Sequence, residues 1–332
     1  MTKIVAKCLF FFVLFLFVAC GNDNEPEKPL NEIPIGFSAY SHEISRSELV
    51  GQDKFDEVGS TFIVYADRRY KSSADLSAYD KTVQVFRGQE VVSQGAGKDW
   101  TYSPMKFWQN SGAYEFRAAW PSTLNVQSTS TGLAMMINYS LFDDKHPDMM
   151  VSYKYREMDN YASEGAYVGL QFMHTLAAVD VIICKEEDDE QEYTLKSTYF
   201  KNLYSVGTFV FSGNPQTPDE LYDCWNRTNI DGSKIHEQDY NESITAEGND
   251  PVHHFMIPQQ TDGNTMKLGY IVNINGNELL TEVNIPSIKW LPGKLYTYKI
   301  TLKPNGVDIE VVTTQWDNVD VTVDDIFGKP LD

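Results

Sequence analysis

No stretch longer than about ten residues keeps a helical apolar spacing without a glycine, a proline or a β-branched interruption. Short alternating runs follow one another instead, separated by turn residues. With 19 Tyr, 18 Phe and many Thr/Val-rich segments, the pattern predicts an all-β protein of sandwich type. Ile33–Tyr40 sets Ile33, Ile35, Phe37 and Ala39 on one face, as a half-buried strand does. Ser60–Ala66 is β-branched and aromatic. Val83–Val92 straddles Gly88 and reads as a hairpin or a bulged strand. Tyr114–Trp120 alternates and stops at Pro121. Tyr167–Phe172 and Leu176–Cys184 are two strands or one bent one, and Ser197–Phe211 is expected to pair with the strand before it. Ser212–Asp250 reads as loop-rich. Thr265–Ile274 and Leu279–Ile285 flank Asn275-Gly276, a strong hairpin signal.

The N-terminus constrains the setting. Lys3 and Lys7 precede an apolar run of 12 residues, Cys8 to Ala19, whereas spanning a hydrocarbon core takes roughly 20. A basic start, a short apolar centre and a small-residue end describe a secretory signal peptide. The run ends Phe17-Val18-Ala19-Cys20, which resembles the lipobox of bacterial lipoproteins, with Phe17 where leucine is usual. The resemblance implies a signal peptide over residues 1–19 and a lipid on Cys20. The polar residues after Cys20, with Pro26, Pro29 and Pro34, read as a tether; residues 20–32 form the lipidated start and linker.

The chain holds 27 Lys and Arg against 47 Asp and Glu, a formal net charge of −20, and removing the leader takes away two more lysines. Such an acidic excess argues against nucleic acid as a partner and against attraction to anionic headgroups, so membrane attachment falls to the acyl chains. Once Cys8 leaves and Cys20 is acylated, Cys184 and Cys224 remain. An exported pair can form one disulfide, although Cys184 sits in an apolar run where a small buried thiol is the simpler reading.

No GxSxG, Walker A, HExxH or paired CxxC occurs, so no enzyme activity, cofactor or metal is expected. Asp143-Asp144-Lys145-His146-Pro147-Asp148 gathers carboxylates and an imidazole on one turn but reads as an exposed loop. Glu186–Glu190 lacks the glycine spacing of a calcium loop and reads as a charged turn. His174 reads as a structural residue. His253 and His254 point to opposite faces of a strand and cannot share an ion. Trp100, Trp108, Trp120, Trp225, Trp290 and Trp316 can stack on sugars, but core packing is the default for strand tryptophans.

An ordered set of segments matches a family. It begins with Pro34-Ile35-Gly36-Phe37, Ser45-Arg46-Ser47 and Val58-Gly59-Ser60-Thr61-Phe62-Ile63-Val64-Tyr65-Ala66. Lys106-Phe107-Trp108, Tyr114–Pro121 (YEFRAAWP) and Val168–Ala177 (VGLQFMHTLA) follow. Phe255–Gln259 (FMIPQ) and Trp290–Ile300 (WLPGKLYTYKI) complete it. The order and spacing resemble the fimbrillin-like lipoproteins of Bacteroidales over about residues 33–316. The resemblance implies two tandem transthyretin-like β-sandwich domains, here 33–165 and 166–332, with the boundary at the polar stretch ending in Gly165. It implies a structural or tip-adhesive subunit of a surface fimbria, exported to the outer membrane and held there by Cys20. A protease is expected to cut between Arg46 and Ser47, releasing the first strand, and a donor strand from another subunit to fill the groove. Residues 316–332 place Val319, Val321 and Val323 on one face and are a candidate donor, with a last strand of their own domain or a frayed tail as the alternatives. Partners would be other fimbrial subunits and a host protein or glycan. The alternative reading is a surface glycan-binding lipoprotein of a polysaccharide-uptake system.

Overall fold

A computed structural model of the chain describes residues 33–41, 52–109, 111–128, 134–142, 147–158, 167–303 and 306–315. The leader, the linker with Cys20, the Arg46–Ser47 bond, Gly165, Asp143 to His146 and the tail 316–332 lie outside them. The architecture is all-β. Elements are numbered in chain order.

The first core is built from β1 (Gly36–Ser41), a one-turn helix α1 (Gln52–Phe55), β2 (Thr61–Tyr70), β3 (Lys81–Ser93), β4 (Trp100–Thr101) and β5 (Ala113–Trp120). Alternate residues point inward: Phe62, Val64 and Ala66 from β2, and Tyr114, Phe116 and Ala118 from β5. β3 is a bulged strand rather than a hairpin. Val64 pairs with Gln89 and Tyr65 with Arg87, so Gly88 is passed over at φ +71. The positive φ is what calls for glycine in the bulge, and a Cβ there would also come within 2.8 Å of the Tyr65 hydroxyl.

After Trp120 the chain leaves this core. β6 (Asn125–Ser128) and β7 (Ala134–Ser140) form a pair whose other neighbour is β12 (Leu203–Ser212). The chain then returns as β8 (Met150–Glu157) and β9 (Tyr167–His174). The first sheet closes on itself in the order β1-β4-β3-β2-β5-β8-β9. Closure depends on β1, which runs antiparallel to β4 on one side and parallel to β9 on the other.

The remaining strands are β10 (Ala177–Lys185), β11 (Tyr193–Lys201), β13 (Trp225–Asp231), β14 (Ile235–Ser243), β15 (His254–Met256), β16 (Lys267–Ile274), β17 (Asn277–Asn284), β18 (Lys294–Lys303) and β19 (Gly306–Gln315), with helix α2 (Pro218–Asp223) before β13. They form three four-stranded sheets, β15-β10-β18-β19, β14-β11-β16-β17 and β13-β12-β7-β6, around a second core. Asn275 and Gly276 both have positive φ, as the two-residue hairpin between β16 and β17 requires.

Two expectations about the strands are corrected. The 197–211 stretch is two strands broken at Asn202 (φ 60), and they serve different sheets: β11 pairs with β14 and β16, β12 with β7 and β13. Ser212–Asp250 is also not mainly loop, since it carries α2, β13 and β14. α2 starts on a capping box, Thr217 with Glu220, and Pro218 in its first turn.

The two cores meet at a buried polar knot. Asp148 Oδ2 lies 2.7 Å from His174 Nδ1, both side chains fully buried. Asp148 therefore does not belong to an exposed loop, whereas His174 has the structural role expected of it. The Thr175 amide and hydroxyl both donate to the Met149 carbonyl (2.9 and 2.8 Å), Trp225 Nε1 donates to the Thr175 carbonyl (2.9 Å), and the Gly293 amide donates to the Leu176 carbonyl (2.9 Å). Removing one member of a buried pair strands the other in a low dielectric. His174→Ala is predicted to destabilise the fold by about 3–5 kcal/mol, and urea unfolding monitored by tryptophan fluorescence would measure it.

Candidate functional site

β1 occupies a slot, and every part of the slot is set by strand alternation. Ile35 and Phe37 are fully buried and Ala39 is half-buried, with Ser38 outside between them. The Phe37 ring meets four others: Phe62 at 5.9 Å, Phe86 at 5.5 Å, Tyr102 at 5.6 Å and Phe116 at 6.1 Å between centroids. All four contacts are edge-on, the arrangement that ring quadrupoles favour. Val168, Leu170 and Phe172 of β9 complete the apolar lining.

The start of the strand is held by polar contacts as well. The Ile35 amide donates to the Lys106 carbonyl (2.8 Å), and the Trp108 amide donates to the Ile33 carbonyl (3.1 Å). The Tyr102 hydroxyl donates to the Ile35 carbonyl (2.7 Å) and accepts from the Lys106 amide (3.2 Å). Burial holds the Tyr102 phenol above its usual range, so it stays a donor at any physiological pH.

The ladders on the two flanks are unequal. β1 matches β9 in parallel from Gly36↔Tyr167 to Ser41↔Phe172, but meets β4 at the single pair Phe37↔Trp100. Downstream, Phe55 of α1 is fully buried against Trp100 (5.1 Å), Trp120 (5.8 Å) and Phe172 (5.0 Å). The segment joining β1 to α1 carries Arg46 and Ser47 and lies outside the described residues. Beyond that segment, Phe55 is held by rings of β4, β5 and β9, while α1 also packs beside β1.

Residues 59–316 match the profile of a family described as fimbrillin-like, which is most of the chain. The chain belongs to the fimbrillin-like family. Three solved structures share the fold. A fimbrial protein from Bacteroides vulgatus superposes with a TM-score of 0.57 at 14% identity, over 85% of this chain and 99% of that one. A protein from Bacteroides ovatus assigned a role in cell adhesion does so at 0.55 and 15% identity, over 86% and 99%. One from Bacteroides uniformis with the same assignment does so at 0.52 and 16%, over 85% and 99%. No curated protein matches the chain.

The other candidate residues of this fimbrillin-like chain are accounted for by packing. Trp100, Trp108, Trp120, Trp225 and Trp290 are all buried, so none of these offers a sugar platform; Trp316 lies outside the described residues. His253 Nδ1 sits 2.5 Å from Asp180 Oδ1, while His254 is buried between the His236 and Phe200 rings. The two imidazoles therefore serve different partners. Among the described residues no group of three or more His, Cys, Asp or Glu could hold a metal ion. Cys184 and Cys224 are both free; their thiols reach the Ile300 and Glu220 carbonyls respectively. Glu186–Glu190 forms a turn, closed by the Asp189 amide on the Glu186 carbonyl.

Sequence reasoning missed the anchoring role of Phe55 and the part of Tyr102. A lone aromatic inside a polar segment was the available signal for Phe55. Truncating a buried phenylalanine removes its transfer energy and leaves a cavity. Phe37→Ala is predicted to cost about 3–5 kcal/mol, read as a lower urea midpoint with an unchanged far-UV circular dichroism spectrum.

Proposed function

We propose that this chain is a fimbrial subunit delivered to the outer membrane as a Cys20 lipoprotein and activated by cleavage between Arg46 and Ser47. Cleavage frees β1 to leave its slot, and a strand from another subunit replaces it. The observation that carries the reading is the construction of β1. It is short, is the first strand among the described residues, fills an aromatic slot, and is separated by a segment holding an arginine from Phe55, which rings of β4, β5 and β9 hold. A strand removed from such a position exposes unpaired backbone and apolar side chains, which another strand satisfies. Two or more acyl chains on Cys20 hold the protein firmly; one binds only marginally.

The tail 316–332 is the proposed donor to a neighbouring subunit, through Val319, Val321 and Val323. The chain is proposed to comprise two units meeting near Gly165, with the β6–β7 pair and β9 exchanged across that point. The subunit's position along the fimbria, and a host protein or glycan as its target, belong to the same proposal.

The test uses trypsin on the folded protein followed by mass spectrometry. Arg68 and Arg69 lie inside β2, where Arg68 bonds Ser111 and Arg69 pairs with Glu115, so the ladder protects them. A first cut after Arg46, and Ser47 as the N-terminal residue of protein recovered from fimbriae, is the expected result. Cuts at Arg68 or Arg69 with Arg46 intact would refute the activation site. Cys20→Ala is predicted to abolish incorporation of a labelled fatty-acid analogue; label retained in that variant would refute the anchor.

A further inference from the structure

We propose that Tyr167 straps β1 into its slot and thereby selects the strand that can replace it: an alternating apolar peptide with glycine where it passes under the Tyr167 ring. The inference rests on the strand-exchange reading for its biological use, but its physical content is independent of it.

Tyr167 opens β9 and stands opposite Gly36 in the parallel ladder. A Cβ added to Gly36 would lie 2.7 Å from Cδ1 and 2.8 Å from Cε1 of the Tyr167 ring, well inside van der Waals contact. Gly36 is not among the residues with positive φ, so its backbone does not demand glycine. The demand is steric and comes from the ring. The ring is tethered at both ends. Its hydroxyl donates to Asp99 Oδ2 at 2.8 Å, and Asp99 immediately precedes β4, on the opposite flank of β1 from β9. Arg156 Nη1 donates to the Tyr167 carbonyl at 3.1 Å and fixes the backbone end. The hydrogen bond to Asp99, with the carboxylate's charge, raises the phenol above its usual range and keeps it a donor. Tyr167 is 47% exposed, so it is placed across β1 without being part of the core.

The slot therefore reads five successive positions of its occupant. From Ile35 into β1 these are Ile35, Gly36, Phe37, Ser38 and Ala39: apolar and buried, no side chain, large aromatic, solvent-facing, small. The chain's own tail does not fit this rule. Val319-Asp320-Val321-Thr322-Val323 puts a side chain under the ring in either apolar register. The tail's one glycine, Gly328, is followed by Lys329 where the slot takes the Phe37 ring. The fitting partner is thus a different subunit whose donor strand carries an apolar-Gly-aromatic run, rather than a second copy of this chain.

A paired size-change experiment tests this on the full mature chain carrying Cys20→Ser to keep it soluble. In the uncut protein, Gly36→Val should lower the urea midpoint, and adding Tyr167→Ala should recover most of that loss. Equal stability of Gly36→Val and wild type, or the same loss with and without Tyr167, would overturn the strap. After trypsin cleavage, a fluorescein-labelled peptide of residues 31–41 should enter the slot, read by anisotropy. The same peptide with Gly36→Val should enter the wild-type protein at least about tenfold more weakly, a gap of about 1.4 kcal/mol, and Tyr167→Ala should close that gap. Equal entry of both peptides into wild type refutes the strap. Entry of neither peptide, with the stability cycle behaving as expected, refutes strand exchange while leaving the strap established.

Discussion

The seating of Phe37 among Phe62, Phe86, Tyr102 and Phe116 is the interaction on which the first core depends. Each of those rings comes from a different strand or loop, and β1 is the element that touches them all. It is also the element that closes the sheet, since β4 and β9 meet only through it. Burying Ile35 and Phe37 contributes about 1.5–3 kcal/mol each, against a total stability of about 5–15 kcal/mol for an ordinary domain. A strand carrying that share cannot simply depart after a loop is cut. Its ladder to β9 and its apolar face hold it until something of similar pattern competes for the same place. In the proposed exchange, energetics alone would couple cleavage to replacement.

The second dependence is the knot around Asp148 and His174. It joins the start of β8 to the end of β9 and, through Thr175 and Trp225, to the second core. β9 is therefore held by this knot at its C-terminal end and offers β1 a ladder along its length. In the proposed exchange, a β9 held in this way would leave the slot one fixed wall when β1 departs. The side of the slot facing β4 is weaker, with one ladder pair, and there the lateral hold passes to side chains.

Much of this was legible in the chain. The alternation of Ile33, Ile35, Phe37 and Ala39 marks a half-buried strand because the period of a strand is two, and the structure buries that face. Asn275-Gly276 marks its hairpin because both residues tolerate positive φ. The burial of Trp100, Trp120 and Trp225 follows from their strand positions. What was not legible has a common physical cause. β14, Ile235–Ser243, is polar at nearly every position because it lies at a sheet edge and one of its faces meets solvent, so no apolar rhythm announces it. Asp148 looks like loop until His174, 26 residues on, is seen to lie against it. The pairing of β11 and β12 with separate sheets turns on one residue, Asn202, whose left-handed backbone bends the chain between two strands that follow each other without a turn sequence.

The glycine opposite Tyr167 belongs to the same class of long-range facts and shows why a slot can be selective without being deep. Apolar alternation is cheap to satisfy, since many strands of a β protein carry it, and the sequence Val319-Asp320-Val321-Thr322-Val323 carries it too. Under the proposed exchange, a slot that asked only for alternation would accept any such segment. A ring laid across the path adds one exclusion that alternation does not contain. It costs little stability, because glycine in a strand weakens it by roughly 0.5–1 kcal/mol, while a side chain at that point must displace a tethered aromatic. Specificity of this kind comes from an added clash more than from an added attraction. It also places the discriminating contact on the outside of the strand, where it can act before the apolar face is seated.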